Sequence, residues 1–199
     1  MMKKINLGIK RTFDIFASLI GLIILSPILG LIAIAIKCDS KGPVFFLQER
    51  IGKKGKTFNI YKFRTMVINA ESIGEGLICR DDCDPRITRM GKILRKTSLD
   101  ELPQLINVFL GEMSIVGPRP PVTYHPYNGY KAYSENAKKR FLMRPGITGL
   151  AQVERRNSAT WDERIEIDVQ YVEQFNILLD IHIILKTFSA LFYTEQYTE

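Results

Sequence analysis

Hydrophobic residues form one long uninterrupted run near the start of the chain, at residues 15–36, where no charged side chain occurs. A run of this length can cross a bilayer as a helix. Ser26-Pro27 lies in its middle, and a proline there removes a backbone donor and favours a kink. Both flanks are basic, with Arg11 before the run and Lys37 after it. Because basic flanks favour the cytoplasmic side, two models stay open: a kinked span, or a re-entrant hairpin with both ends in the cytoplasm.

After residue 36 the apolar segments are shorter, and their spacing is that of short strands and amphipathic helices. Residues 44–50 and 57–63 read as two strands joined by a glycine- and lysine-rich turn at 52–56, which predicts a β-hairpin. Residues 69–84 are polar and predict a helix end followed by a loop. Residues 90–95 predict a basic amphipathic helix, and apolar residues recur at helical spacing from Leu102 to Phe109.

The carboxy-terminal part has two further helical patterns. Residues 161–175 predict an amphipathic helix, and residues 175–193 are more apolar but include Asp180, His182 and Lys186. Charges at these positions argue against a second membrane span. An interfacial helix lying on a bilayer and a buried core helix fit the second pattern equally well.

Composition narrows the classes of function. The chain has 199 residues, enough for one domain, and a net charge of +7, which suits an anionic partner. Three cysteines and two histidines lack the spacing of a metal framework or a catalytic triad. The cysteine count indicates a reducing, cytosolic setting for the polar part of the chain.

Two adjacent carboxylates, Asp100 and Glu101, stand where the pattern places the start of a helix, with Thr97 or Ser98 as the predicted N-cap. A carboxylate in a first helical turn is stabilised in its ionised form by the helix dipole. Such a group can bind a metal ion or attack an electrophile. The alternative is structural, because Ser98 and Glu101 also fit a capping box.

Downstream, the chain places an arginine on a stiff loop. Arg119 stands between Pro118 and Pro120, and each proline fixes a backbone angle. A rigidly held arginine loses little entropy when it binds a phosphate in a bidentate manner. Residues 144–153 form a second loop punctuated by glycine and proline that leads into a predicted extended segment.

Six motifs in order along the chain resemble those of the bacterial sugar transferases, small monotopic phosphoglycosyltransferases that act on polyprenyl phosphate. They are KRTFD at 10–14, SP at 26–27, YKFRTM at 61–66, SLDELPQ at 98–104, GPRP at 117–120 and RPGITG at 144–149. The resemblance covers about residues 10–186. It favours the re-entrant model, with Ser26-Pro27 as the break that turns the helix back.

The resemblance also implies an activity. The enzyme would be a transferase that moves a sugar-1-phosphate from a UDP-sugar to undecaprenyl phosphate and releases UMP. Asp100 would be the nucleophile, forming an aspartyl phospho-sugar, and Glu101 would complete the catalytic dyad. Mg²⁺ would bind at Asp100. Lys62, Arg95, Arg119 and Arg156 would bind the substrate phosphates, which agrees with the chemistry of cationic side chains.

We therefore predict an α+β, mostly helical monotopic membrane protein with a re-entrant helix broken at Ser26-Pro27, a small β-hairpin and interfacial amphipathic helices. Residues 1–38 would be the membrane anchor, and residues 39–199 a catalytic domain on the cytosolic face of the bacterial inner membrane. The expected partners are a UDP-sugar, undecaprenyl phosphate and membrane lipid, without nucleic acid. A homodimer is a further possible assembly, and the sequence carries no pattern that indicates the oligomeric state. The alternative is a non-enzymatic basic adaptor, tethered to the membrane, that binds anionic lipid or nucleic acid.

Overall fold

The computed structural model describes residues 2–73, 84–155 and 159–192. This part of the chain is mostly helical and carries two small sheets, in agreement with the predicted α+β class. Most of the predicted loop at 69–84 lies outside the described residues. The elements are α1 (Met2–Asp39), β1 (Phe45–Ile51), β2 (Thr57–Phe63), α2 (Arg89–Thr97), α3 (Gln104–Leu110), β3 (Ser114–Val116), α4 (Glu135–Lys138), β4 (Gly146–Thr148), α5 (Leu150–Arg155), α6 (Trp161–Gln174) and α7 (Ile177–Phe192).

Helix α1 continues through Pro27 without interruption, so the predicted break of the helix at Ser26-Pro27 is wrong. The side chain of Ser26 explains why the helix tolerates this proline. Pro27 cannot donate a hydrogen bond to the carbonyl of Ile23, four residues earlier. The Ser26 hydroxyl donates to that same carbonyl instead, at 2.8 Å, so the Ile23 oxygen keeps a partner.

One stripe of α1 packs against the rest of the protein near both ends of the helix. Towards its beginning, Lys10 forms a buried ion pair with Asp180 of α7. The buried carboxylate of Asp14 accepts a hydrogen bond from the backbone N–H of Ile115 at 3.0 Å. Towards its end, Asp39 accepts from the backbone N–H of Met90 at 3.0 Å. The buried carboxylate of Asp14 therefore has a structural role.

The opposite face of α1 is apolar and exposed. Residues Ile5–Asp39 form a helical segment that is long and apolar enough to cross a membrane, judged by length and composition alone. The side chains that remain exposed along this face include Ile9, Phe13, Phe16, Ile20, Ile23, Ile24, Ile28, Leu31 and Ile34. An apolar patch of this extent on a protein surface marks an interaction site for a membrane or a partner.

Strands β1 and β2 form the predicted antiparallel hairpin, with Phe45 opposite Phe63 and Ile51 opposite Thr57. A second, parallel pair of strands, β3 and β4, was not predicted. At this pair the backbones approach so closely that a Cβ on Gly146 would lie 2.1 Å from the nitrogen of Gly117. Glycine is therefore required in both proline-rich loops. The predicted extended segment is confined to β4, and α5 follows it directly.

Helices α6 and α7 close the structure. A capping box begins α6: the Thr160 hydroxyl accepts from the Glu163 N–H at 3.3 Å, and Glu163 accepts from the Thr160 N–H at 2.7 Å. Ile183 of α7 is fully buried in the main core, whereas Leu185 and Phe188 are exposed. One face of α7 therefore packs in the core, and another apolar face is exposed on the surface of the protein.

Candidate active site

Asp100 and Glu101 lie on a tight connection between two helices. The prediction that they lie in the first turn of an α-helix is therefore wrong. Helix α2 ends at Ser98, whose backbone adopts the left-handed conformation (φ 56°, ψ 18°). Leu99–Glu101 then form one 3₁₀ turn, and α3 begins only at Gln104, after Pro103. Ser98 makes no side-chain capping hydrogen bond, so the predicted capping box at this position is wrong.

Glu101 is held between two cations. Its carboxylate lies 2.6 Å from Nζ of Lys62 on β2 and 3.4 Å from Nη2 of Arg119. Burial opposes ionisation of Glu101, but the charges of Lys62 and then Arg119 outweigh it and lower its pKa to about 2. Glu101 is therefore an anion at every physiological pH, and it holds the side chains of Lys62 and Arg119 in position.

Asp100 has a different environment from its neighbour. Burial is the main cause that raises the pKa of Asp100, and the negative charge of Glu101 adds to it, whereas Lys62 and Arg95 oppose the shift. Among the described residues, no other side chain forms a hydrogen bond or an ion pair with the Asp100 carboxylate. A desolvated, unpaired carboxylate beside a cationic cluster is suited to nucleophilic attack or to metal binding.

Two sets of buried contacts hold the cations in place. Asn107 of α3 ties the dyad to β2, because its amide accepts from the Tyr61 N–H at 2.9 Å and donates to the Asn59 carbonyl at 2.7 Å. The loop that carries Arg119 is fastened by Arg140, which donates to the Arg119 carbonyl at 2.8 Å. Arg140 is in turn paired with Asp168 of α6, and both side chains are almost completely buried.

Glu101, the second residue of the dyad, lines a small cleft that is open to solvent. Its lining carries more positive than negative charge, so it favours an anionic ligand. The residues that line it are Arg50, Ile60, Lys62, Glu101, Gln104, Arg119, Pro120 and Gly146. The structure thus brings together three of the predicted residues: Glu101, Lys62 and Arg119. Asp100 directly precedes Glu101 in the same turn.

The two remaining residues predicted to bind substrate are Arg95 and Arg156. Arg95, at the end of α2, donates through Nε to the Thr65 hydroxyl at 3.0 Å. Its charge also acts on Asp100 and helps to offset the effect of burial. Arg156 lies outside the described residues, so its predicted role stays a prediction.

Sequence reasoning missed four residues of the site or its support: Arg50, Gln104, Arg140 and Asp168. Arg50 donates to the Pro120 carbonyl at 3.0 Å and so braces the proline-rich loop. The pattern held one usable signal. Asp168 falls on the apolar face of α6 defined by Ile165, Val169 and Val172, and a carboxylate there needs a buried cationic partner.

The dyad also fits the ligand preference of Mg²⁺. This ion is commonly bound by one or two carboxylates together with substrate phosphates and water, without a cage of protein ligands. Among the described residues, no group of three His, Cys, Asp or Glu side chains could hold a metal ion. Asp100, with an unpaired carboxylate, is the residue that could hold Mg²⁺ together with a bound diphosphate.

The fold and the site together define a protein with a long, exposed apolar helix and a carboxylate dyad surrounded by cations. The family model for bacterial sugar transferases matches residues 5–194. The chain belongs to this family.

Individual relatives agree with this assignment. The exopolysaccharide production protein PSS of Rhizobium leguminosarum bv. phaseoli is 44% identical over 189 residues, which cover 92% of this chain and 94% of the relative. The galactosyl transferase CpsE of Streptococcus agalactiae serotype III (strain NEM316) is 42% identical over 192 residues, covering 92% of this chain and 42% of the relative. The UDP-glucose:undecaprenyl-phosphate glucose-1-phosphate transferase of Klebsiella pneumoniae is 43% identical over 188 residues, again 92% of this chain but 40% of the relative. The chain thus spans about two fifths of the length of the latter two proteins.

Proposed function

We propose that this protein is a phosphoglycosyltransferase that moves a hexose-1-phosphate from a UDP-hexose to undecaprenyl phosphate. The products are undecaprenyl-diphosphate-hexose and UMP, and the reaction is the first membrane step of polysaccharide synthesis. The activity for which the Klebsiella relative is named supports the substrate class. The observation that carries the proposal is the difference within the dyad, where Glu101 binds two cations and Asp100 binds none.

The chemistry follows from that difference. A carboxylate oxygen of Asp100 attacks the phosphorus that bears the sugar, and the phosphoanhydride bond breaks, so that UMP leaves with the bonding electrons. An oxygen of undecaprenyl phosphate then attacks the same phosphorus and displaces Asp100. This covalent route divides one difficult displacement into two easier ones.

The neighbouring side chains supply charge and position. Lys62 and Arg119, oriented by Glu101, face the diphosphate and neutralise the charge that develops on the leaving group. Arg95 favours the ionised, reactive form of Asp100. When bound at Asp100, Mg²⁺ supplies additional neutralisation of phosphate charge.

We further propose that α1 is a re-entrant anchor, bent at Pro27 while remaining one helix, and that the site lies on the cytosolic face of the inner membrane. The buried stripe of α1 contacts the same domain near both ends of the helix, at Lys10 and at Asp39. Both ends can therefore stay with the domain only if the helix does not carry one of them across the membrane.

The transfer reaction can be tested directly. The detergent-solubilised protein is incubated with Mg²⁺, undecaprenyl phosphate and a panel of UDP-hexoses, and released UMP is measured. We expect release with one donor, dependent on the lipid and on the metal, and a mass increase of one phospho-hexose on the peptide that contains Asp100 when the lipid is omitted. Lipid-dependent UMP release without any adduct on Asp100 would contradict the two-step route.

The topology has its own test. Single cysteines are introduced by Lys4→Cys and by Lys41→Cys in a background without native cysteines, and labelled in spheroplasts with a reagent that does not cross membranes. We expect both positions to be protected until the cells are opened. Labelling of one position in intact spheroplasts would show that α1 crosses the membrane.

A further inference from the structure

Two arginines converge at the end of α3, on the side of the protein that carries the first part of α1. Arg11 donates to the Val108 carbonyl at 2.7 Å and to the Phe109 carbonyl at 3.0 Å. Arg144 donates to the Gly111 carbonyl at 2.7 Å. Cations are favoured at the carboxyl end of a helix, where carbonyl groups remain unpaired. The two guanidinium groups are therefore fixed next to each other by the backbone of the α3 terminus.

The turn of the β-hairpin brings further positive charge to the same place. Gly52 and Pro145 line one small cleft, so Lys53 and Arg144, the neighbours of those residues, lie close together. Burial and then the charges of Arg144 and Lys54 lower the pKa of Lys53. We call Arg11, Lys53, Lys54 and Arg144 the basic rim.

The carboxylates next to the basic rim are engaged elsewhere. Asp14 is buried and accepts the N–H of Ile115. Glu112 accepts from the side-chain amide of Asn107 at 2.7 Å. In the described ranges, no ion pair joins any member of the basic rim to a carboxylate. The rim therefore gathers four like charges that form no direct ion pair, although the charge of Asp14 acts on Arg11, and it favours an external anion.

Exposed apolar side chains accompany the basic rim. Phe109 and Leu110 end α3 beside the carbonyls that Arg11 holds, and they are 42% and 59% exposed. Leu142, two residues before Arg144, is 57% exposed, and Phe13, which lies on the exposed apolar face of α1, is 52% exposed. Apolar side chains next to cations form the arrangement that enters the headgroup layer of a bilayer. This patch is continuous with the exposed apolar face of α1.

We propose that the basic rim, with Phe13, Phe109, Leu110 and Leu142 beside it, binds the headgroup of an anionic phospholipid. The apolar side chains would contact the upper acyl chains, and the four cations would contact the headgroup phosphate. The proposal rests on the membrane attachment of α1 proposed above and does not depend on the transfer reaction. It goes beyond anchoring because it predicts selection among lipids by charge.

Lipid binding to the full-length protein can be counted by native mass spectrometry after titration with phosphatidylglycerol or with phosphatidylcholine. We expect tighter retention of phosphatidylglycerol. The double variant Lys53→Gln/Lys54→Gln should weaken that retention about fivefold for each lysine removed, which corresponds to about 1 kcal/mol per cation near an anionic bilayer. Retention of phosphatidylcholine should not change.

The matched control is Lys92→Gln/Lys96→Gln, which removes the same charge from the exposed face of α2. Equal loss in both double variants, or equal binding of the two lipids, would overturn the proposal. Competition by inorganic phosphate at the affinity of the lipid would show a site for soluble anions and would overturn it as well. A protein that selects phosphatidylglycerol but releases no UMP would contradict the proposed function and support this inference.

Discussion

Two of the clusters in which a carboxylate meets a lysine from a distant part of the chain have different surroundings. At the junction of α1 and α7, Lys10 pairs with Asp180, which also accepts from the Tyr171 hydroxyl at 2.7 Å, and both charged side chains are at most 10% exposed. At the dyad, Glu101 meets Lys62 and Arg119, and the arginine side chain is 36% exposed. The first cluster is closed and satisfied, as in a structural contact. The second is open on one side, as a ligand site requires.

The sharpest way to test this comparison is to remove one charged group from each of the two regions. Asp100→Asn removes the nucleophile but changes little volume, so we expect UMP release to fall by more than about 1,000-fold while the unfolding temperature stays within error. The matched control is Asp162→Asn, an exposed site bonded to Tyr127, which should keep full activity. A fully active Asp100→Asn protein would contradict the assignment of the nucleophile.

The closed cluster should respond in the opposite way. Lys10→Met leaves Asp180 buried without its cation, and breaking a buried pair in this manner costs about 3–5 kcal/mol of unfolding free energy. The loss should appear as a lower unfolding temperature of the solubilised protein. The remaining folded fraction should retain its turnover rate.

Two further variants bear on that result. Lys10→Met/Asp180→Leu removes both charges and should recover most of the stability. Lys139→Met breaks the exposed pair with Glu173 and should change the unfolding free energy by less than about 1 kcal/mol. If Lys10→Met were as mild as Lys139→Met, the junction would not be the structural contact described above.

The sequence predicted local features of these regions better than distant ones. The hairpin was predicted correctly because its alternating strands flank a glycine-rich turn. The dyad was located, but its helix was placed too early: Ser98 ends α2 in a left-handed conformation, and Pro103, which has no N–H to offer, precedes the start of α3. Strands β3 and β4 have three residues each, too few to show alternation.

Contacts between distant segments could not be predicted from the pattern. Arg140 and Asp168 are paired across the fold, and a single sequence shows only that Asp168 lies on an apolar helix face. The same holds for Lys10 and Asp180, which come from opposite ends of the chain. Their partners are determined by packing, so the sequence indicated that such charges need a counter-ion without identifying it.

A smaller effect is expected from changing the shape of a cation at the open cluster. Arg119→Lys keeps the charge but loses the planar fork that binds a phosphate through two hydrogen bonds. We expect KM for the UDP-hexose to rise about 10- to 100-fold, the equivalent of one lost charged hydrogen bond. Arg164→Lys, at a cation that packs on Trp161 and does not line the cleft, is the control. A normal KM for Arg119→Lys would show that the arginine does not bind the diphosphate.

The smallest expected effect is a shift in the pH dependence of the reaction, and its sign separates the two acids of the dyad. Asp100 must be ionised to attack, and its pKa is raised by burial, so activity should fall on acidification at a higher pH than for an ordinary aspartate. Glu101, with a pKa of about 2, remains ionised throughout this range. The acid limb of kcat/KM therefore reports Asp100.

Two variants should move this limb in opposite directions. Arg95→Met removes a cation that favours ionised Asp100, so its pKa rises further and activity is lost at a higher pH. Glu101→Gln removes a neighbouring negative charge, so the pKa of Asp100 falls and the residual activity persists to a lower pH. Lys92→Met, an exposed neighbour on α2, should leave the limb in place. An acid limb that moves with neither Arg95→Met nor Glu101→Gln would mean that the titrating group is not Asp100, because the charges of both residues act on the Asp100 carboxylate.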